Sequence, residues 1–471
     1  MLAGLDSALW PLMCLAAVGL QCGTAAAASR DGRSGGTHGT GSVHAGSERS
    51  SANTTDDLVA AGRVGISASP LLQPLAPPAP ERIANGGYPR GVVHAGMYVV
   101  CVGMTIYARA VTAPASTSPA WIQRGTVATD TRPGVDLANC NLAVRPATPA
   151  HTGTAMPLLV ASYRHHTGCH SGTIGYADDG QGQKAGPGQR RDLPHLGSAF
   201  VCSNYTIQVS TSLDAGVTWR FASTVVSGPV GMWEPFLLYD DPANSTSTGV
   251  AAAAQGPLLR VAYSQELTNG GLQSIVWQRS GDDGATWAQP VTISDGREHL
   301  SRDGMPGIAR LIDGSLLLVF EGFWAHGPGH FSVQSRRSRD NGLTWDDGRV
   351  IYATTDRSRN AGAPQTAVQP SGRVVVSFMT NEDVPRPSSW PDDAWAKVIV
   401  SNNTGSGGDE VMFPAAGKRV VCTGPACLWP GLFGQDPVLM LYGLHGVSFM
   451  QPISDTPAEH PPTVPTRNRT V

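Results

Sequence analysis

The chain has 471 residues and a formal net charge of −3, and charged residues make up only 15% of it. This composition gives no electrostatic reason to expect binding to nucleic acid or to an anionic membrane. The 56 Gly and 36 Pro residues indicate a chain rich in turns, as in many all-β proteins.

The N-terminal residues favour export from the cell. Residues 8–20 form an apolar run that is too short to span a membrane, and an Ala-rich stretch follows at 24–28. We therefore expect a signal peptide at 1–28 and a secreted, extracellular protein, although Asp6 and the lack of Lys or Arg make the leader atypical. Five Asn-x-Ser/Thr acceptors for glycosylation support secretion: Asn53, Asn204, Asn244, Asn402 and Asn468.

Two further segments have the composition of unfolded chain. Residues 29–80 are rich in Ser, Gly, Ala, His and Pro and lack apolar periodicity, so they are predicted to form a disordered linker. Residues 455–471 are rich in Pro and Thr and are predicted to be a disordered tail. The folded domain is therefore expected at 81–454.

One eight-residue motif, Ser-x-Asp-x-Gly-x-Thr-Trp, occurs at 212–219, 280–287 and 338–345. Its steps of 68 and 58 residues are typical of a repeat architecture. The Asp is expected to accept hydrogen bonds from backbone N–H groups two or three residues on, and the Gly to take a positive φ, so each copy predicts a tight turn between strands. The residues assigned to these structural turns are Asp214, Trp219, Asp282, Trp287, Asp340 and Trp345.

Pairs of apolar strands recur through the predicted domain. The clearest pair is Ile308–Ile312 and Ser315–Phe320, joined by Asp313–Gly314, which is a strong hairpin signal. Five more pairs are predicted at Gly91–Val102, Cys140–Tyr163, Pro235–Ser264, Gln365–Phe378 and roughly Val420–Tyr442. The three motif copies follow the second, third and fourth pairs, where strands three and four of a blade would connect. The chain is therefore predicted to be all-β, a single six-bladed β-propeller.

Propeller topology predicts which residues share a face. The start of strand one and the end of strand two of each blade lie on one face, and the repeated motif lies on the other. Glu234 is predicted to precede the first strand of blade three, and Glu321 to end the second strand of blade four, beside Arg302 and opposite Pro306. The other side chains predicted on this face are Tyr88, Arg90, Asp136, Asn139, Arg164, His165, Glu266, Asp303 and Asn381–Asp383, the last beside Gln365.

A pair of carboxyl groups on this face indicates glycoside hydrolysis. One carboxylic acid protonates the leaving oxygen, and a second carboxylate attacks carbon or activates water. Glu234 and Glu321 both stand among apolar residues, where desolvation would raise a carboxyl pKa as an acid catalyst requires. The alternative is that these acids only form ion pairs with arginines such as Arg302, Arg90 and Arg359.

Several short stretches, in this order, make the chain resemble fungal glycoside hydrolase family 93. They are Tyr88-Pro89-Arg90, Ser162–His166, Trp233–Phe236, Tyr263–Glu266, Arg302–Gly307, Val319–Glu321 and Ala361–Gln365, together with the repeated motif, which matches the Asp box of sialidase-like propellers. The resemblance covers roughly residues 81–443. It implies a six-bladed sialidase-like propeller and a secreted exo-α-1,5-L-arabinanase that retains configuration.

By the same resemblance, the catalytic nucleophile and acid/base fall on Glu234 and Glu321, with the two roles unassigned between them. The residues expected to bind substrate are Tyr88, Arg90, His165, Trp233, Glu266, Arg302, Asp303, Gln365 and Glu382. A carbohydrate is the expected partner, with no cofactor and no metal, and the chain is expected to act as a monomer. The sequence departs from the family pattern at His165, where the pattern has Asn, and in an insertion at 166–199 that leaves the same face and would change the shape of the substrate pocket.

Two other functions remain open. An exo-α-sialidase would need an arginine triad, for which Arg90, Arg302 and Arg359 are candidates, with Tyr442 as nucleophile and Asp136 as acid. A non-catalytic propeller that binds glycans or proteins would need neither glutamate.

The cysteines predict disulfides. Loss of the signal peptide leaves six, an even number that suits an oxidising compartment. Cys169 and Cys202 bracket a Gly-rich part of the insertion and are predicted to be bridged across its base. Cys422–Cys427 and Cys101–Cys140 are further possible pairs.

Overall fold

The computed structural model describes residues 79–453, except 113–119, 147–156, 173–198, 241–256, 268–270, 324–329, 388–389, 415–418, 423–425 and 435. The chain divides into two units, Met1–Gln73 and Pro74–Val471, and every described residue belongs to the second. The predicted signal peptide, nearly all of the linker, the tail, most of the insertion and Asn53, Asn244 and Asn468 lie outside the described residues. Within the described part, no helix has the length and apolar character needed to cross a membrane.

The described strands form six four-stranded antiparallel sheets, and the first strand of each is the innermost. After β1 (Glu81–Asn85), blade one contains β2 (Arg90–His94), β3 (Met97–Val102), β4 (Thr105–Ala110) and β5 (Ile122–Thr126). Blade two contains β6 (Asp136–Val144), β7 (Leu159–His166), β10 (Tyr205–Ser212) and β11 (Arg220–Gly228), and its insertion forms the ribbon β8 (His170–Gly172) and β9 (Ala199–Val201). Blade three contains β12 (Met232–Asp240), β13 (Leu258–Glu266), β14 (Gln273–Ser280) and β15 (Val291–Ser294).

The helix α1 (Gly296–His299) leads from blade three into blade four. Blade four contains β16 (Gly304–Arg310), β17 (Leu316–Phe323), β18 (Phe331–Ser338) and β19 (Arg349–Tyr352). Blade five contains β20 (Ala361–Val368), β21 (Val374–Thr380), β22 (Trp395–Val400) and β23 (Arg419–Cys422). Blade six contains β24 (Cys427–Phe433), β25 (Val438–Leu444) and β26 (Val447–Ile453), and β1 pairs with β26 as its outermost strand.

Apolar clusters fill all six contacts between neighbouring blades. The cluster between blades two and three includes Val209 and Val261, and the one between blades six and one includes Leu441 and Val100. The other four clusters join blades one and two, three and four, four and five, and five and six. The ring is closed in two ways. β1 pairs with β26 and so completes the last sheet, and an apolar cluster is buried between blades six and one. The predicted six-bladed propeller is confirmed.

The three motif turns connect strands three and four of blades two, three and four, as predicted. In the first, Asp214 Oδ1 accepts hydrogen bonds from the backbone N–H groups of Val217 at 3.1 Å and Thr218 at 2.9 Å. Gly216 takes φ 85°, as expected, and the preceding Ala215 also takes a positive φ of 56°. The Asp therefore caps groups three and four residues on, rather than two or three, because two successive left-handed residues widen the turn.

Each motif turn also packs on the preceding blade. A Cβ at Gly342, in the turn of blade four, would overlap the Trp277 ring of blade three, so the turn requires a glycine there. Trp345 of that turn meets Trp277 edge to face, with ring centroids 5.6 Å apart. The motif therefore fastens neighbouring blades on the face opposite Glu234.

A second sixfold feature was absent from the predictions. One residue in or just before the first strand of every blade has a left-handed backbone with φ between 47° and 56°, and a bulge shifts the register around it in blades two to six. In five blades the next residue is proline, whose missing N–H and fixed φ interrupt the strand ladder. These six axial residues are Tyr88, Asn139, Glu234, Met305, Ala363 and Trp429.

Several residues lie at positions that differ from those predicted from the sequence. Glu234 lies within β12 rather than before it, and Glu321 pairs with Gly304 rather than Pro306. Asn381 returns beside Asn360, whose carbonyl accepts its N–H at 3.3 Å, rather than beside Gln365. The sixth hairpin begins at Cys427, because Val420 belongs to the outer strand of blade five.

All three predicted disulfides are present. Cys169–Cys202 closes the base of the insertion. Cys101–Cys140 joins β3 of blade one to β6 of blade two, and Cys422–Cys427 joins β23 of blade five to β24 of blade six.

Candidate active site

An axial cavity of about 300 Å³ lies on the face that carries Glu234. Four of the six axial residues line it: Tyr88, Asn139, Glu234 and Trp429. Arg164 and Ala138 of blade two complete one wall, and Gly87 and Gly103 complete another. The repeated bulge therefore brings side chains from different blades to a common cavity.

Glu234 takes φ 47°, a strained backbone conformation for a residue that carries a side chain. Ser264 Oγ donates a hydrogen bond to its Oε2 at 3.0 Å, and the same Oγ accepts from Met305 N–H at 3.1 Å. Burial raises the pKa of Glu234, against the opposing charges of Arg164 and Arg302. Its carboxyl group is thus held by a serine whose own orientation is fixed by blade four.

Glu321 reaches the same region from β17. The backbone N–H of Ala363, another axial residue, donates to its Oε2 at 2.7 Å. Burial raises the pKa of Glu321 to about 7, and the negative charge of Glu234 contributes to the rise. Gly362 has no room for a Cβ against Glu321 Oε2, which explains a glycine at that position of the motif.

Contacts around Gly304 connect the two glutamates. A Cβ built at Gly304 would lie 3.6 Å from Glu321 Oε1 and 3.5 Å from Ser264 Oγ, the group that binds Glu234. The two carboxyl groups are close enough to interact, because the negative charge of Glu234 contributes to the raised pKa of Glu321.

A second set of polar groups supports the Glu234 side of the cavity. Glu266 Oε1 accepts from Trp233 Nε1 and from Arg302 Nη2, both at 3.3 Å. The Arg164 guanidinium lies 5.2 Å from the centroid of the Trp233 ring and pairs with Asp136 at 2.9 Å. Both arginines therefore have carboxylate partners of their own, while their charge still reaches Glu234.

The opposite side of the cavity is aromatic. The rings of Tyr88 and Trp429 lie 6.0 Å apart, and the Arg90 guanidinium lies 4.0 Å from the Tyr88 centroid. Arg90 Nη1 donates to the carbonyls of Pro89 at 2.9 Å and Trp429 at 3.0 Å, so this arginine fixes the backbone beneath both rings. Trp390 packs with Met305, Ala363 and both rings in an axial apolar cluster. The cavity thus has one polar and one apolar wall.

Three residues predicted to bind substrate are held in contacts with the protein itself. Asp303 is fully buried and accepts from Ser294 Oγ and Ser301 Oγ, both at 2.5 Å. Gln365 is buried and donates to the Pro306 carbonyl at 3.2 Å, across blades four and five. Glu382 accepts from Tyr352 OH and, at 2.6 Å, from the buried Lys397.

His165 lies in a different cavity. Alternation along β7 places Arg164 and His166 towards Trp233 and places His165 on the other side of the sheet. There His165 Nε2 contacts Asp130 Oδ2 at 2.8 Å.

Three of the groups proposed for a sialidase site are engaged in contacts with other residues. Tyr442 is 2% exposed in the core between blades five and six, and its OH donates to Gln451 at 3.2 Å. Arg302 pairs with Glu266, and Arg359 pairs with Asp356 at 3.3 Å.

Four contributors to the site were not assigned from the sequence: Trp429, Trp390, Ser264 and the N–H of Ala363. A signal for Trp429 was present, because Trp429-Pro430 repeats the residue-proline step of Tyr88-Pro89, Glu234-Pro235, Met305-Pro306 and Ala363-Pro364. Among the described residues, no group of three or more His, Cys, Asp or Glu is placed to hold a metal ion.

Comparisons with solved structures identify the fold. The GH93 α-L-arabinofuranosidase of Fusarium graminearum, in complex with arabinobiose, aligns at a TM-score of 0.51 and 17% identity, over 79% of this chain and 97% of that chain. The α-L-arabinanase of Penicillium chrysogenum, also with arabinobiose, aligns at 0.51 and 16%, over 80% of this chain and 98% of that one. No protein-family model matches the sequence, nor does any of the curated proteins compared with it.

The chain is thus an all-β, six-bladed propeller with the fold of these glycoside hydrolase structures. The resemblance to family 93 predicted from short motifs is confirmed at the level of the fold.

Proposed function

We propose that this protein is a secreted glycoside hydrolase that removes α-L-arabinofuranosyl units from the end of arabinan or a related neutral glycan. The observation that carries the proposal is the pairing of Glu234 and Glu321, two electrostatically coupled carboxyl groups beside a cavity with one polar and one aromatic wall. Both solved relatives named above hold arabinobiose.

In the proposed reaction, the pair acts while it holds a single proton. The protonated carboxyl group donates to the leaving oxygen, and the ionised one attacks the anomeric carbon, so that configuration is retained after water cleaves the intermediate. Burial and the charge of Glu234 raise the pKa of Glu321 to about 7, so the pair still holds one proton as the pH approaches neutrality. The Arg164 and Arg302 charges favour ionisation of Glu234 and thereby keep the second carboxylate available.

The charges around the cavity favour a neutral sugar over a sialoside. A sialic acid carboxylate needs a triad of arginines, but of the three candidates Arg302 pairs with Glu266 and Arg359 with Asp356, so only Arg90 has no carboxylate partner among the described residues. Tyr442, the nucleophile that a sialidase mechanism would require here, is bonded to Gln451 in the core. These contacts support an arabinan-type substrate.

Product analysis tests the proposal. The purified protein should release arabinose or arabinobiose from linear arabinan and from arabino-oligosaccharides, and should leave sialyllactose intact. NMR of the first product formed should show the anomer of the substrate. Cleavage of sialyllactose alone would support the sialidase hypothesis instead. If no glycan is cleaved, a non-catalytic binding propeller would be favoured.

Secretion is part of the same proposal. Asn402, within the acceptor Asn402-Asn403-Thr404, is exposed, so its side chain is accessible for glycosylation. Expression in a eukaryotic secretory host should place the protein in the medium with a mass that falls after N-glycosidase treatment. Retention inside the cell would contradict this part.

A further inference from the structure

A second cavity, of about 300 Å³, lies between blades one and two and shares no lining residue with the axial cavity. Its lining comes from the segment after β5, from β6 and β7, and from the outer strands of blade two. The lining residues are Val127–Asp130, Leu137, Tyr163, His165, Gln208, Ser210 and Phe221. We propose that this cavity is an accessory binding site for a neutral oligosaccharide.

The first support is an exposed aromatic ring at the cavity mouth. Phe221 lines the cavity and is nevertheless 56% exposed, so the cavity reaches solvent beside its ring. A phenyl ring left in water costs free energy that a covering apolar surface recovers. The C–H face of a sugar ring is such a surface.

The second support is a set of planar polar groups placed for hydroxyl recognition. The Asp130 carboxylate accepts from Arg132 at 2.6 Å and contacts His165 at 2.8 Å, and these hydrogen bonds lower the pKa of Asp130, so it stays ionised. The side-chain amide of Gln208, half-buried in the cavity wall, makes no hydrogen bond to any described residue. Amide and imidazole groups supply both donors and acceptors, which match neighbouring sugar hydroxyls.

The cavity floor is buried and polar. Tyr163 and Ser210 are 2% and 1% exposed, and Tyr163 OH and Ser210 Oγ are hydrogen-bonded at 3.0 Å. Each hydroxyl retains capacity for one more hydrogen bond. Apolar side chains of Val127 and Leu137 form the remaining wall. A flat ligand with hydroxyls on its edges and apolar faces fits this lining, whereas an anionic ligand would meet the Asp130 carboxylate.

This position also accounts for His165, which the sequence predicted to contact substrate. His165 directly follows Arg164 of the axial cavity, but it faces the opposite side of β7. A chain of sugar units bound in the second cavity would therefore be held by the blade that also forms one wall of the axial cavity. Such a site would hold a polymeric substrate near the axial cavity. It would contribute little to the binding of short substrates, which do not reach both cavities.

The test uses Phe221→Ala and Gln208→Ala, singly and together. Leu343→Ala is the control, because Leu343 is also a well-exposed apolar residue, 70% accessible against 56% for Phe221, in the motif turn of blade four. Affinity electrophoresis in gels with linear arabinan, on a Glu321→Gln background that prevents hydrolysis, measures binding alone. We expect each cavity variant to weaken retention about three- to tenfold, as one lost stacking or hydroxyl contact allows, with no change for Leu343→Ala.

Kinetics in the active protein provide a second readout. The cavity variants should raise KM for linear arabinan and leave kcat and KM for an aryl α-L-arabinofuranoside unchanged. Unaltered gel retention of the double variant would refute the site. An equal loss of activity on the aryl α-L-arabinofuranoside would also refute it, because the cavity would then have only a structural role. Thermal unfolding confirms that each variant is folded.

The choice of arabinan rests on the proposed function. If the protein hydrolyses no arabinoside, a panel of neutral polysaccharides is screened by the same gels. Binding of any of them that is lost in Phe221→Ala would support the site while the proposed activity fails. Absence of binding to all of them would refute the site.

Discussion

Replacing Glu321 with Gln separates the catalytic from the structural consequences of this residue. The amide oxygen can still accept the Ala363 N–H, which lies 2.7 Å from Glu321 Oε2, so the fold should be kept. The amide can neither ionise nor donate a catalytic proton, so activity should fall by about 10³-fold or more, which corresponds to about 4 kcal/mol of transition-state stabilisation.

The same substitution should stabilise the protein at alkaline pH. Burial raises the pKa of Glu321 from its ordinary 4.5 to about 7, so the native state keeps a proton that the unfolded chain has already released. Because the unfolded chain binds fewer protons between these values, the free energy of unfolding falls as pH rises across the interval. The loss is complete above about pH 7 and amounts to at most about 3 kcal/mol.

Glu321→Gln removes this pH-dependent loss. For the roughly 300 described residues, an unfolding entropy of about 0.6 kcal/mol/K converts the gain into about 5 °C in Tm at pH 8. The gain should be near zero at pH 4, where both states of the parent are protonated.

Thermal unfolding followed by fluorescence at both pH values checks the prediction. Asp347→Asn is the control, because Asp347 is an exposed carboxylate that makes no ion pair with any described residue, so its replacement should change Tm little at either pH. Equal Tm shifts for Glu321→Gln at pH 4 and pH 8, or a variant with full activity, would refute the reasoning.

Three further predictions concern neighbouring groups. Glu266→Gln should reduce kcat/KM much less than Glu321→Gln, because Glu266 orients Trp233 and Arg302; an equal loss would mean that the catalytic pair is wrongly chosen. Asn139→Ala should raise KM about tenfold with little change in kcat, because Asn139 lines the cavity and its Oδ1 is a buried acceptor that has no hydrogen-bond partner among the described residues. An unchanged KM for arabinobiose would exclude a contact between Asn139 and the substrate. Replacing Cys169 and Cys202 with Ser should lower the free energy of unfolding by about 3–4 kcal/mol on the chain-entropy model of a loop of about 34 residues, measured by denaturant titration, and a free Cys169 thiol in the parent would contradict the bridge.

Local chemistry determined much of the fold. A motif turn needs only an Asp, a Gly and their near neighbours, so three copies located the strand connections of three blades before any long-range contact was known. Alternating apolar strands then located the other blades. Glu234 and Glu321 were recognisable because both stand in apolar sequence contexts, Glu234 in an innermost strand and Glu321 at the end of the strand that pairs with one.

Only the tertiary structure decided how the axial cavity is assembled. The bulge in each first strand shifts the register, so Glu321 meets Gly304, and Gln365 bonds to Pro306 instead of facing the cavity. His165 was predicted to contact substrate on the axial face but lines the second cavity, because the side of a sheet that a residue faces depends on which neighbouring blade covers it. Trp429, Trp390 and the Ala363 N–H come from blades distant in sequence. Their convergence depends on closure of the ring, which no local pattern encodes.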